Sequence, residues 1–230
     1  MITALFKKFS TSIILNEIIQ EAPETYTFKF AAPQNTGWTP GANAHFIANN
    51  LQNGQKFTYR LVHEFSIMSH PKEEYLGFTT RIRSIPSLFK QTLKELNSGD
   101  QIRIFGIRNN IQLQKVSIPI TLISMGVGVA TFRPIILDYI NSTSQIPFIT
   151  NINVDRSSNF IYQNELEKSS ENRIQNVFVT SRVDLYKSID KALKKDNNIY
   201  YIVGSNVFNR NIKDYLLKNK VPKRLIKFDK

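Results

Sequence analysis

The 230-residue chain contains no cysteine. That excludes a disulfide scaffold, a thiolate-held zinc or iron–sulfur centre and a cysteine nucleophile within it, and it fits a reducing compartment. Histidine is nearly absent too: His45, His63 and His70 are the full set, and their spacing is not that of a metal site, so no metal is expected. Acidic side chains are scarce, with 18 Asp and Glu against 30 Lys and Arg, a formal net charge of +12. Long apolar runs are missing. The most apolar stretch, Ile118 to Ile140, is broken by Pro119, Gly126, Gly128 and Arg133-Pro134. It falls short of the roughly 18 uninterrupted apolar residues of a spanning helix. The opening MITALFKKFS has too short an apolar run, placed before its lysines, for a secretory signal. A cytoplasmic protein is expected. No Walker loop and no Gly-x-Ser-x-Gly elbow occurs.

What is present is an ordinary globular composition, 41% hydrophobic and 21% charged. The basic excess divides into +5 over residues 1–115 and +7 over 116–230. That reads as a solvated basic surface spread over the chain, not a tail or stripe. Without clustered Lys and Arg or a groove-reading helix, nucleic acid is not an expected partner.

The pattern changes near residue 115. Before it, Ser12–Glu17, Thr25–Phe30, His45–Ala48, Lys56–Leu61, Phe65–Met68, Gly77–Ile82 and Gln101–Phe105 read as short strands between turn signals such as Pro40-Gly41, Asn53-Gly54 and Ser98-Gly99-Asp100. This spacing predicts a small antiparallel barrel, interrupted by a helix over Ser87–Leu96. After it, strands over Ile118–Ser124, Ile146–Asn151, Asn176–Thr180, Ile199–Gly204 and Arg224–Phe228 alternate with helices over Phe132–Ile140, Asn159–Lys168, Leu185–Lys194 and Val207–Asn219. Such alternation predicts a parallel sheet with right-handed crossovers.

Three segments carry chemistry. In Ile123-Ser124-Met125-Gly126-Val127-Gly128-Val129-Ala130-Thr131-Phe132-Arg133-Pro134, an apolar strand runs through a Gly-x-Gly turn into a helix. Glycine permits a sharp turn and close approach of a ligand, and the helix start favours phosphate; a purely structural turn is the other reading. His63-Glu64-Phe65-Ser66 lies on a barrel strand. In Arg81-Ile82-Arg83-Ser84-Ile85-Pro86-Ser87-Leu88-Phe89-Lys90, two basic side chains precede a helix start, a combination that suits a pyrophosphate.

Taken in order, these segments resemble the ferredoxin–NADP reductase superfamily, in particular its short stand-alone FAD-dependent oxidoreductases. Trp38-Thr39-Pro40-Gly41 is similar to the turn before the barrel strand that precedes the flavin. His63-Glu64-Phe65-Ser66 resembles the Arg-x-Tyr/Phe-Ser/Thr flavin motif, with His in first place, and Gly126 to Arg133 resembles the nicotinamide-nucleotide turn. Gly99-Asp100 with Ile102, Ile104 and Gly106, then Tyr162 to Leu166, Arg182-Val183-Asp184 and Tyr201-Ile202-Val203-Gly204-Ser205, fall at later landmarks in the same order.

The resemblance implies a two-domain fold: a Greek-key antiparallel β-barrel that binds FAD (1–115), then a Rossmann-like α/β domain that binds NAD(P)H (116–230), with the active site in the cleft between them. Phe65 would pack on the isoalloxazine and Ser66 would hydrogen-bond its N5, as the catalytic residue. His63, Glu64, Ser87, Leu88 and Phe89 would form the FAD site, helped by Arg81 and Arg83. Gly126, Gly128, Ala130 and Thr131 would approach the dinucleotide, Gly204 and Ser205 would wall the nicotinamide pocket, and Arg156 would reach the adenosine phosphate, its alternative being a surface arginine. The implied reaction is hydride transfer from NAD(P)H to flavin, then electron transfer to an external acceptor: a ferredoxin or flavodoxin, a haem or iron complex, or a small molecule. A basic surface suits an acidic electron-transfer protein. The chain departs from the family at Ala130-Thr131, Val203-Gly204-Ser205 and Gly106-Ile107-Arg108-Asn109. Those departures keep open a flavin-binding relative without turnover and an electron-transfer subunit of a larger complex; a basic nucleic-acid-binding module is a remote third reading.

Overall fold

The structure, a computed structural model, describes residues 9–34, 36–48, 58–114, 117–168, 173–195 and 197–228. The chain divides between Asn109 and Asn110 into two compact units.

The first unit is a sheet of six strands among the described residues: β1 (Thr11–Ala22), β2 (Thr25–Ala31), β3 (Ala42–Ile47), β4 (Val62–Ser66), β5 (Tyr75–Arg81) and β6 (Gln101–Asn109). Every pairing is antiparallel, in the order β4-β3-β6-β1-β2-β5. The β2–β3 and β5–β6 connections therefore jump across strands, as the expected Greek key requires. The expected barrel is barrel-like but not closed, because no ladder joins β4 to β5 among the described residues. One backbone bond, from the Met68 N–H to the Gly77 carbonyl at 2.8 Å, spans that gap. The Gly77 N–H goes instead to the Ser69 hydroxyl at 3.1 Å, so a side chain takes the place of the next ladder bond. Among the described residues helix α1 (Leu88–Lys94), after the Ile85-Pro86-Ser87 turn, is the one α-helix between the strands.

Two strand expectations need correction. Of Lys56–Leu61, Lys56 and Phe57 lie outside the described residues, as does the Asn53-Gly54 turn, and Tyr59–Leu61 forms a 3-10 turn whose first amides are capped by Thr58. The strand expected over Phe65–Met68 starts at Val62 and ends at Ser66, where its residue-by-residue pairing with Asn43 to Ile47 stops. The core of this unit is built from rings. Phe28, Phe30, Phe46, Phe78 and Phe89 are all fully buried, each stabilising the fold by about 2–3 kcal/mol.

The second unit alternates β7 (Ile120–Met125), α2 (Val129–Ile140), β8 (Ile149–Val154), α3 (Gln163–Lys168), β9 (Ile174–Val179), α4 (Arg182–Leu193), β10 (Ile199–Val203), α5 (Asn206–Lys218) and β11 (Ile226–Phe228). Its strands are all parallel, in the order β11-β10-β7-β8-β9. Near-continuous apolar sequence follows from burial on both faces, and every residue of β8 and β10 is buried. β8 lies three residues later than Ile146–Asn151, since Pro147 lacks the N–H a ladder needs. Helices α4 and α5 cover one face together. Leu185, Ile189, Ile212 and Leu216 pack with Ile123, Ile152, Tyr200 and Ile202, and the Tyr215 hydroxyl donates to Asp190 at 2.6 Å between the two helices. Buried Arg133 of α2 donates to the Glu165 carboxylate of α3 at 2.7 and 2.5 Å, which ties those helices together.

Helix α5 ends in a Schellman motif. The Val221 N–H bonds the Leu216 carbonyl and the Lys220 N–H bonds the Leu217 carbonyl, both at 3.0 Å. Lys220 occupies the left-handed position, φ 63°, where glycine is usual, at a cost of about 1 kcal/mol. This region also corrects the charge reading. Residues 182–227 carry 12 Lys and Arg against four Asp and Glu, so +8 of the net +12 falls in this one stretch.

Candidate functional site

In the first unit the pleat of β4 sorts the predicted residues. His63 and Phe65 share one face with Ala44 and Phe46, while Glu64 and Ser66 stand on the other with His45 and Asn43. Phe65 is half-buried, its ring stacked on Phe78 at 4.5 Å and 8°, and tilted against Phe89 at 5.5 Å. The ring is thus held in one orientation from behind. His63 flanks it, 5.7 Å from Phe65 and 5.0 Å from Phe89. Ser66 is the last residue of β4, which is an edge of the sheet among the described residues. A flat ligand lying along that edge can meet side chains from both faces of the strand.

Positive charge converges on this ring. Lys90 donates to the Arg81 carbonyl at 2.5 Å, which pins its ammonium beside the end of β5. Burial pushes the Lys90 ammonium below its usual range, and Arg83 and Arg81 push it further. Burial likewise lowers His63, with Lys90 adding to the effect. The charges that lower His63 and Lys90 are all positive, so three cations and an imidazole stand together, a cluster that a bound anion would favour. Ser87 holds the N-cap position of α1 without a side-chain cap bond, and Leu88 and Phe89 follow it. Ile85, next to this turn, is 93% exposed. A half-buried ring beside a cluster of basic groups is the setting of an amphipathic ligand with an aromatic part and an anionic part. Lys90 lies outside the sequence-predicted set, and its bond to the end of β5 is what brings it to the site.

Glu64 is not brought to this cluster. It accepts two bonds from Arg108 at 2.8 and 2.9 Å on the opposite face, with His45 at 3.7 Å.

In the second unit the strand order reverses between β7 and β10, because β8 and β9 build out one side of β7 and β10 and β11 the other. The loops leaving the carboxyl ends of β7 and β10 therefore part, and such a crevice is where open α/β sheets hold ligands. Gly126, Gly128, Gly204 and Ser205 all lie at these two ends, with Met125 half-open to solvent beside them. Gly126 needs its left-handed φ of 55°. Gly128 and Gly204 are small because the chain itself fills the space. A Cβ on Gly128 would lie 2.8 Å from the Val203 carbonyl oxygen, and one on Gly204 2.5 Å from the Phe208 ring. Asn153 donates to the Ser124 hydroxyl at 2.8 Å and to the Gly126 carbonyl at 3.2 Å, which fixes the turn from the neighbouring strand. The Ser205 hydroxyl caps α5 by accepting from the Phe208 N–H at 3.2 Å. Ala130 and Thr131, 4% and 2% exposed, are buried in the first turn of α2. Arg156 follows β8, one strand over from β7, and is exposed.

Among the described residues no group of three or more His, Cys, Asp and Glu could hold a metal, and no helix is long and apolar enough to cross a membrane.

No protein-family model matches the sequence, and no curated protein matches it. Solved structures do. A ferredoxin-NADP+ reductase from Plasmodium falciparum aligns with 96% of this chain and 95% of its own, at TM-score 0.78 and 18% identity. A ferredoxin NADP+ reductase from Neisseria gonorrhoeae, crystallised with FAD and NADP, aligns over 96% and 98% at TM-score 0.76 and 14% identity. The ferredoxin reductase of carbazole 1,9a-dioxygenase aligns over 96% of this chain and 68% of its own at TM-score 0.75 and 14% identity. The chain shares the two-part fold of the reductases it aligns with.

Proposed function

We propose that the chain is an FAD-dependent NAD(P)H oxidoreductase that hands electrons to an external acceptor. The observation that carries this reading is the meeting of His63, Arg81, Arg83 and Lys90 beside the half-buried ring of Phe65. FAD offers what that place lacks: a flat ring for Phe65 and a dianionic pyrophosphate for the basic cluster. The fold likeness, spanning both units and including relatives crystallised with FAD and NADP, supports the same reading. Bound FAD would accept a hydride from the reduced nicotinamide and release the electrons to the acceptor.

The chain's own residues would bind and orient. Phe65, backed by Phe78, sets the plane of the ring. Ser66, at the end of the edge strand, is the hydroxyl assigned to the flavin N5. Lys90, Arg81 and Arg83 supply positive charge, and His63, its imidazolium disfavoured by burial and by Lys90, adds an imidazole. Gly126 and the amides of Ala130 and Thr131 present backbone to the dinucleotide, Gly204 and Ser205 border the nicotinamide, and Arg156 offers a charge to the adenosine end. On this reading the first unit is the FAD-binding domain and the second the NAD(P)H-binding domain. Glu64, engaged with Arg108, is withdrawn from the cofactor site. The basic surface favours an acidic protein as acceptor, which would make turnover fall with ionic strength.

The test is the absorbance of the purified protein, anaerobically, before and after each reduced nicotinamide. The expected result is a yellow protein that bleaches with NADH or NADPH. A colourless protein that takes up no FAD from excess overturns the proposal, and a yellow protein that neither nucleotide bleaches leaves a flavin binder without turnover.

A further inference from the structure

The crowding of basic residues in the second unit lies outside both candidate sites. Helices α4 and α5 are crossover helices, so they run back from the carboxyl end of the sheet and finish at its amino end, opposite the crevice. At that end Lys191, Lys194, Lys218, Lys220, Lys223 and Arg224 are all exposed. Cations in a last helical turn complement the helix dipole, which accounts for Lys191, Lys194 and Lys218. Lys220 lies past the end of α5, and Lys223 and Arg224 sit in the short 3-10 turn Lys223–Leu225 that follows. Lys220 moreover holds the left-handed C′ position of the Schellman motif, where glycine would be more stable.

Nearby carboxylates do not neutralise the group. Asp190 accepts from Tyr215. Asp184 sits at the far end of α4, bonded to the Ser181 hydroxyl and 3.5 Å from Lys187. Asp214 is exposed on α5, and Asp196 lies outside the described residues. Lys195 is engaged over the Phe148 ring at 4.0 Å and is left out of the count.

We infer that this end of the second unit docks on an anionic lipid bilayer, independently of the redox reading. Five of the six cations are lysines, compact hydrated charges that respond to a diffuse negative surface without the forked geometry of a specific contact. Leu217, 38% exposed, stands among them as an apolar side chain fit for the headgroup boundary. Nucleic acid fits less well. The patch holds one arginine, and among the described residues it has no exposed aromatic ring on which a base could stack. Docking there would leave the carboxyl-end crevice of the same unit facing away from the bilayer.

The test is co-sedimentation of the full chain with vesicles of phosphatidylcholine alone or mixed with phosphatidylserine. Expected is binding only to the mixed vesicles, weakening as salt rises, at about fivefold affinity per lysine. The K191Q/K194Q/K218Q/K220Q variant then loses more than about a hundredfold. A control variant R60Q/K72Q/K94Q, which removes exposed charge from the first unit, keeps its binding in proportion to net charge alone. Thermal unfolding and the visible spectrum verify that both variants are folded. Equal binding to both vesicle types, no binding, an equal loss per charge in the control, or tighter binding to polyuridylate or duplex DNA at the same salt each overturns the inference.

Discussion

The two units solve the same problem with opposite materials. In the first, the candidate site is made of side chains: a ring backed by rings, and three cations close to an imidazole. In the second it is made of backbone: two turns where side chains have been removed because Val203 and Phe208 occupy the room. A site of side chains can be altered without disturbing the fold, whereas a site of missing side chains is the fold. Substitutions in the first unit should therefore move ligand affinity, and substitutions at the glycines of the second should move stability.

The largest expected effect is at Gly128. A valine there would place its Cβ 2.8 Å from a backbone carbonyl of β10, an atom that cannot turn aside. Overpacking of this kind costs about 3 kcal/mol. G128V should lower the denaturant midpoint of the full chain sharply. G204A should lower it less, since the Phe208 ring can rotate away from the 2.5 Å contact. An unchanged midpoint in G128V would mean the turn is held open for a ligand after all, and the contrast between the units would fail.

Next in size is the charge cluster. Removing the Lys90 charge, as in K90Q, should weaken FAD binding roughly tenfold, about 1.4 kcal/mol. His63 behaves differently. Its folded pKa is lowered from 6.5 by burial and Lys90, so between the two values the unfolded chain binds more protons. Stability from this group is present above pH 6.5 and declines as pH falls through the lowered value. A bound anion favours the imidazolium, so FAD affinity should rise over the same descent. Opposite pH slopes for ligand-free stability and for FAD affinity, both flattened in H63Q, are the expected pattern, read by urea titration and by fluorescence of released flavin. Parallel slopes would place His63 away from the anion.

The sequence carried much of this, unevenly. Strand alternation and the strand–helix alternation after residue 115 gave the two kinds of sheet, because burial on one face or two writes itself into hydropathy. Lys56–Leu61 misled, since Tyr59 and Leu61 alternate with polar residues as a strand would, but Thr58 caps a 3-10 turn there. Barrel closure was not legible, because it turns on whether the Gly77 amide meets a strand or the Ser69 hydroxyl. His63, Phe65 and the glycines could be placed by motif. Lys90 was hidden because its relevance comes from proximity to the end of β5, not from spacing. Glu64 looked like a site residue because it sits inside the motif, and the period of two sent it to the other face. Halving the chain also concealed the basic stretch 182–227, since the cut at 115 averaged it with neutral sequence.

The smallest effect divides stability from surface charge within the second unit itself. Lys220 spends its residence in a left-handed conformation, φ 63°, closing α5 with a bond to the Leu217 carbonyl. Glycine there loses no steric energy, so K220G should stabilise the full chain by about 1 kcal/mol, less a few tenths for the greater freedom of its unfolded chain. That corresponds to a rise of about 2–4 °C in Tm. The same change deletes one charge from the amino-end patch and should reduce partition onto phosphatidylserine vesicles about fivefold. A variant at once more stable and less adherent would mean that this lysine is kept for its surface and not for its helix. If K220G gains stability and binds vesicles as before, Lys220 is an ordinary imperfect cap, and the basic end of this unit is only solvated charge.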